Sequence, residues 1–353
     1  MAGSWVVWFG RMLTTIAVPA CLLVVPSDAW GQGCMPLRFT SATLGGQQAP
    51  FLMPHQWQIG IAGRRVASNR FFQESSENEA AAPGGQPLHL RLNTVDVSAS
   101  YATSERLSFT LTVPLSHSTA NNVYPDGQYH QVSSTGVGDL NVMGNFWLGA
   151  PTRHPQGNVQ LGLGVKLPTG SNHVLGNFYD PQGNVSQVPI PQTVQLGDGG
   201  WSALVEAQGF RQLFSRTSAY FTGFYSVSLR QHTDVPWPPA QTVWAVPDVY
   251  TGRAGLSYSA SEQFSLSLGG RIDGTPSSDL IGGRTDYFRH AGYTVYVDPG
   301  VSLQRGANQF TLNVPIRVHH TYLDMFINNG QAERIGTGGV ADYVIYVGYA
   351  RRL

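Results

Sequence analysis

Residues 107–115, Leu-Ser-Phe-Thr-Leu-Thr-Val-Pro-Leu, place a large apolar side chain at every odd position and a small, mostly polar one between. A period of two belongs to a β-strand with two unlike faces, because successive side chains leave opposite sides of the backbone. The pattern recurs along most of the chain. It predicts twelve strands, at 57–67, 92–102, 107–118, 138–149, 158–169, 201–211, 218–230, 248–259, 264–273, 292–303, 309–320 and 340–351. The connections alternate without exception between short (103–106, 150–157, 212–217, 260–263, 304–308) and long (68–91, 119–137, 170–200, 231–247, 274–291, 321–339). Short turns on one side and long loops on the other fit an all-β, up-and-down antiparallel transmembrane barrel. On this reading the turns are periplasmic and the loops external. An even strand count then puts both termini in the periplasm.

The apolar parity carries Val95, Val97, Leu161, Leu163, Leu266, Leu268, Leu312, Val314, Ile345 and Val347, and the other parity is Ser, Thr, Asn, Gln, Gly and scattered charge. Aromatic residues on the apolar face gather toward the strand ends. Trp57, Tyr101, Phe109, Phe146, Phe264 and Phe310 lie at the turn end, and Trp201, Tyr250, Tyr293 and Tyr343 at the loop end. Two such girdles are what amphipathic rings prefer at two membrane interfaces. Charged residues are only 12% and the net charge is zero, with Lys166 the sole lysine, so there is no basic stripe for nucleic acid. The long connections show no apolar pattern and read as plain loops.

Arg11, the apolar stretch from Met12 to Pro26 and the small-x-small Ala29-Trp30-Gly31 predict a signal peptide over residues 1–31. Residues 32–56 would be either a periplasmic tail or a plug for the lumen, and 57–353 the barrel. Cys34 would then be the only thiol, with no internal disulfide.

Gly136-Val137-Gly138-Asp139-Leu140-Asn141-Val142, Leu161-Gly162-Leu163-Gly164-Val165-Lys166-Leu167-Pro168-Thr169-Gly170 and Gln195-Leu196-Gly197-Asp198-Gly199-Gly200-Trp201 resemble segments of a family of bacterial outer-membrane barrel transporters. That family is grouped with a protein of the phenol meta-cleavage pathway. The resemblance implies an outer-membrane channel for small organic compounds, with no catalytic motif. Such barrels usually end in an aromatic residue read by the barrel-assembly machinery. Here the end is Ala350-Arg351-Arg352-Leu353, with Leu353 in phase with Tyr349 and Val347.

The inward parity supplies the candidate site. Asp96, Glu206, Arg253, Asp298 and Arg317 fall near mid-strand and are expected to line a constriction, with Asp298 and Arg317 facing each other at similar depth. Asp139, Lys166, Arg271, Asp273 and Asp342 are expected nearer the outer mouth, and Trp147, Tyr220, Tyr296 and Tyr346 are inward aromatics. Mixed charges in a modest lumen point either to a solute-selecting constriction or to ion pairs that fill it. The expected partners are outer-membrane lipid, a small, mostly neutral or aromatic solute, and the assembly machinery through the last strand. A structural or adhesive barrel acting through its loops is the alternative. A lipid hydrolase is the third reading. Ser116-His117-Ser118 with Asn121 has the residue types, but neighbours on a strand point to opposite faces. His319-His320 fails as a metal pair for the same reason. No cofactor, metal site or enzymatic activity is expected.

Overall fold

The computed structural model describes residues 51–78, 89–237, 242–283, 287–323, 325–327, 331–334 and 337–353. The predicted signal peptide and residues 32–50 lie outside them. Twelve antiparallel staves form a closed barrel. They are β1 (Trp57–Gln73), β2 (His89–Ala102), β3 (Leu107–Val123), β4 (Tyr129–Val137 and Leu140–Trp147), β5 (Gly157–Leu167), β6 (Ser202–Phe214), β7 (Thr217–Ser228), β8 (Val249–Ser259), β9 (Phe264–Thr275), β10 (Gly292–Arg305), β11 (Asn308–Asn313 and Ile316–Tyr322) and β12 (Thr337–Arg352). Each pairs with its sequence neighbour, and β12 pairs with β1 from Gln58↔Arg352 to Gln73↔Thr337. Closure matters because a sheet edge in hydrocarbon would leave a row of backbone groups unbonded. Among the described residues no helix is long and apolar enough to cross a membrane.

The outer wall is apolar and exposed. Leu163, Leu268, Val318, Val347 and Leu256 all show half or more of their surface. A water-soluble protein would bury such a band. A barrel presents it to lipid. Both chain ends of the barrel meet at the short-turn end, where Leu353 N–H donates to Trp57 O at 2.9 Å.

Two prolines interrupt the wall. Pro114 stands in β3 beside the break in β4, and Gly138 N–H donates to Pro114 O at 2.8 Å. Pro315 separates the halves of β11, and Val344 N–H donates to its carbonyl at 3.0 Å. Proline has no N–H for the ladder. At Pro114 the β3–β4 pairing slips by a residue, whereas at Pro315 the register carries through unchanged. At the long-loop end several staves run past the predicted boundaries. β1 reaches Gln73, β3 reaches Val123 and β4 begins at Tyr129. In these extensions the outward positions, such as Gln131 and Ser133, are polar, so the sequence lacks the apolar alternation although burial still alternates.

The long connections are not plain loops, contrary to the sequence reading. Ile190 and Val194 from the 168–200 connection pack with Leu90, Ala120 and Val132 as a buried cluster over the barrel. Val235, Trp244 and Phe288 form another. The apolar residues are too few and too irregularly spaced in sequence to show a period.

Candidate functional site

The inward face builds the site in three layers along the barrel. At the short-turn end lies a cavity of about 310 Å³ lined largely by uncharged polar side chains, among them Ser98, Ser100, Thr110, Asn145, Gln160 and Gln208. Its mouth holds Phe51, buried against Trp147 with ring centroids 4.9 Å apart and edge-on, and 5.9 Å from Phe210. Leu52 lines the cavity beside it.

The middle layer is charged and buried. Arg253 Nε lies 2.5 Å from Asp298 Oδ2, and Asn313 Nδ2 donates to Asp298 Oδ1 at 3.3 Å. Arg271 Nε donates to both carboxylate oxygens of Asp273 at 2.9 Å. The two guanidiniums rest on aromatic faces, Arg253 5.0 Å from the Tyr220 ring centre and Arg271 4.7 Å from that of Tyr346. Cation–π contacts of this kind gain strength when desolvated. Two glycines make the arrangement possible. Asp298 opposes Gly269, which opposes Gly255, so the inner wall between Asp298 and Arg253 is bare. A Cβ on either glycine would stand 2.7 Å from the Tyr220 hydroxyl.

The third layer faces the long loops. Lys166 Nζ lies 3.3 Å from Asp139 Oδ2 and also pairs with Asp198 of the inward-folded connection. Gly170 N–H donates to Asp139 Oδ1 at 2.9 Å, so the connection is held at both ends of its fold. Asp342 takes Arg317 at 2.5 Å and Arg70 at 2.8 Å, and Arg70 also bonds Glu77. A smaller cavity of about 50 Å³ lies here, lined by Arg64, Thr94, Ser116, Asp139 and Lys166.

The predicted site residues therefore regroup. Asp96, Glu206, Arg253 and Asp298 do line the main cavity. Glu206 makes no ion pair among the described residues. Arg271, placed at the mouth by sequence, lines the same cavity and belongs to the middle layer. The expected pairing of Asp298 with Arg317 is not made. The β10–β11 register runs unchanged from Gly300↔Asn313 to Tyr296↔Arg317, which leaves Arg317 one inward step nearer the loops than Asp298. Asp298 reaches instead across the glycines to Arg253, and Arg317 to Asp342. Asp139, Lys166 and Asp342 lie on the long-loop side, with Asp273 beside Arg271. Trp147, Tyr220, Tyr296 and Tyr346 are all buried inside. Sequence reading missed Phe51 and Asp198. Pro114 within a strand was an available signal for the slip in the β3–β4 register.

The residues of the hydrolase reading are kept apart. His117 bonds Thr135 Oγ1 at 2.7 Å on the exposed outer face, while Ser116 faces inward and bonds Thr94. No group of three or more potential metal ligands occurs among the described residues.

No known protein-family profile and no curated protein matches the chain. Solved structures do. The COG4313 outer membrane channel from Pseudomonas putida F1 aligns with a TM-score of 0.59 at 12% identity, covering 89% of this chain and 100% of that one. The fold is that of an outer-membrane β-barrel. Weaker likenesses include the P. putida toluene transporter TodX (TM-score 0.43, 9% identity, covering 85% and 90%). The translocator domain of the autotransporter NalP from Neisseria meningitidis is another (0.46, 12%, covering 86% and 91%).

Proposed function

We propose that the protein is a passive outer-membrane channel for small, mostly neutral or aromatic organic molecules, with its long loops outside the cell and both termini in the periplasm. The observation that carries this reading is the polar lumen cavity ended by a layer of paired, not excess, charge. Its volume of about 310 Å³ falls at the low end for small-molecule pockets. Balanced Arg–Asp pairs give no strong field to sort ions by sign, and aromatic faces beside them suit flat, weakly polar solutes. Passage requires the middle layer to part.

The alternative is a closed barrel whose ion pairs and inward-folded loops serve stability alone. The double variant Arg253→Ala/Asp298→Asn separates the two, because it removes both charges and strands neither. A channel should gain single-channel conductance in planar bilayers and admit neutral sugars faster in liposome swelling. Silence in both wild type and double variant would end the channel reading.

A further inference from the structure

The exposed outer face carries a feature that passage through the lumen does not use. At the loop end the lipid-facing aromatic girdle includes Trp201, Tyr250, Tyr293 and Tyr343, and it is interrupted across β1–β4. There the outward positions are Arg65, Arg91, Asn93, His117 and Thr135. Arg65 and Arg91 are both exposed, and neither forms an ion pair or hydrogen bond among the described residues. Arg65 opposes Asn93, and Arg91 opposes Ala67, so the two arginines are diagonal neighbours on adjacent strands. Such a diagonal spans about 7–8 Å, close enough for two guanidiniums to hold one anion between them.

Their depth is informative. Arg65 lies eight positions along β1 from Trp57, and Arg91 ten positions from Tyr101. At about 3.3 Å per residue and a tilt of about 40°, that is about 20 and 25 Å above the opposite girdle. The apolar band of such barrels is about 25 Å tall, so Arg91 stands at its upper edge and Arg65 about 5 Å inside it. Directly beneath them Ile61, Val95, Val97 and Leu115 are exposed to lipid. A cation at hydrocarbon depth with no protein partner is costly, and phosphate answers a pair of guanidiniums with short, charge-assisted hydrogen bonds.

We propose that Arg65 and Arg91 bind the phosphate of a phosphorylated outer-leaflet glycolipid, the lipid A class, whose acyl chains lie on the aliphatic surface below. Asn93, opposite Arg65, donates through Nδ2 to His117 O at 3.4 Å and keeps a second N–H for the sugar. The site anchors the barrel in the outer leaflet at β1 and β2, beside the β1–β12 closure. It rests on the reading that the long loops face outward, and that reading has its own test. An epitope tag inserted at Gln182 should be reached by antibody on intact cells; failure there overturns the orientation independently of the arginines.

The experiment uses the full-length barrel, purified in detergent and titrated with diphosphoryl or dephosphorylated lipid A, with bound lipid counted by native mass spectrometry. Wild type should retain the diphosphoryl form at least tenfold better than the dephosphorylated one. Arg65→Gln/Arg91→Gln should lose that preference while keeping its heat-modifiable migration. If the double variant does not assemble, the comparison of the two lipids on wild type still decides. Equal binding of both lipids by wild type, or an unchanged preference in the double variant, overturns the site. Full displacement of the lipid by millimolar inorganic phosphate would make it a free-anion site and overturn the lipid assignment.

Discussion

Arg253 and Asp298 are the residues on which the lumen turns. Asp298 is 1% exposed, and its charge is answered by Arg253 and Asn313. Removing one member of a buried pair costs about 3–5 kcal/mol, because the other is left charged and unpaired. Arg253→Ala should therefore lower barrel stability by about that much, read from urea unfolding in detergent micelles. Arg317→Ala is the control. Its partner Asp342 keeps Arg70 and has a side chain 42% exposed, so water and the second guanidinium soften the loss. Its cost should stay near that of a surface pair, about 0–1 kcal/mol. Equal damage from the two would mean that the middle layer is hydrated and not a buried pair. The wall gives a second contrast. Leu111 is exposed on the lipid face, whereas Thr112, the next residue, lines the cavity. Leu111→Arg should cost about 2–4 kcal/mol at midplane depth, and Thr112→Arg should assemble nearly normally. Similar losses would show that the register or the environment differs from this one.

At the scale of elements, the 168–200 connection is a strap, and Lys166 is its fastening. Because Lys166 is the only lysine in the chain, an amine-reactive probe reads that fastening directly. Its side chain is 5% exposed between Asp139 and Asp198. The folded barrel should label only at its α-amine, and Asp198→Asn should expose Lys166 to reagent without unfolding the staves. Rapid Lys166 labelling in wild type would show the strap to be open. The loops also answer pH in opposite senses. Asp180 is held below the usual carboxylate range by the Asn184 amide and by backbone N–H groups of its turn. Its contribution is present at neutral pH and lost as pH falls through its lowered value. Asp248, under the loops, is pushed up by burial, with Asp279 nearby adding to the shift, while N–H groups of Leu280 and Ser228 oppose it. Its ionised form weighs against the fold at neutral pH, and protonation on acidification relieves that. Hydrogen exchange corrected for intrinsic rates should rise on acidification in the turn around Asp180 and not around Asp248. The reverse order would mean that other groups control these loops.

At the scale of the whole molecule, what the sequence revealed and what it hid follow from one physical difference. Lipid on one side and a polar lumen on the other force a strict period of two, so all twelve staves, the short turns and the buried Tyr220, Tyr296 and Tyr346 were legible. Depth was legible less well: Arg271 belongs to the middle layer and not the mouth, and Arg317 lies nearer the loops than Asp298. Pairing inside the lumen was not, because partners are chosen by how far a side chain reaches across strands where glycines bare the wall. Gly255 and Gly269 decide that Arg253 reaches Asp298, and no local pattern announces it. The inward-folded connections were hidden for a related reason. Their few buried residues, Ile190, Val194 and Phe288, obey no repeat.

The same view from end to end sets two obstacles in series, Phe51 at the short-turn mouth and the Arg253–Asp298 layer beyond it. Phe51 lies just inside the described residues and is clamped edge-on by Trp147. For residues 32–56, read from sequence as either tail or plug, we propose the plug, with Phe51 at its tip. Resistances in series add, so the narrower one governs. On the proposed reading the middle layer, held by ion pairs, governs. Phe51→Ala alone should leave single-channel conductance nearly unchanged. In the Arg253→Ala/Asp298→Asn background the same substitution should raise it clearly, since the mouth is then limiting. The aromatic contact itself should appear in a Phe51→Ala/Trp147→Ala double-mutant cycle as a coupling of about 0.5–1.5 kcal/mol. A large rise from Phe51→Ala alone would place the governing constriction at the mouth and reduce the charged layer to a lining. Additive effects in both backgrounds with no coupling to Trp147 would favour the tail over the plug for residues 32–56.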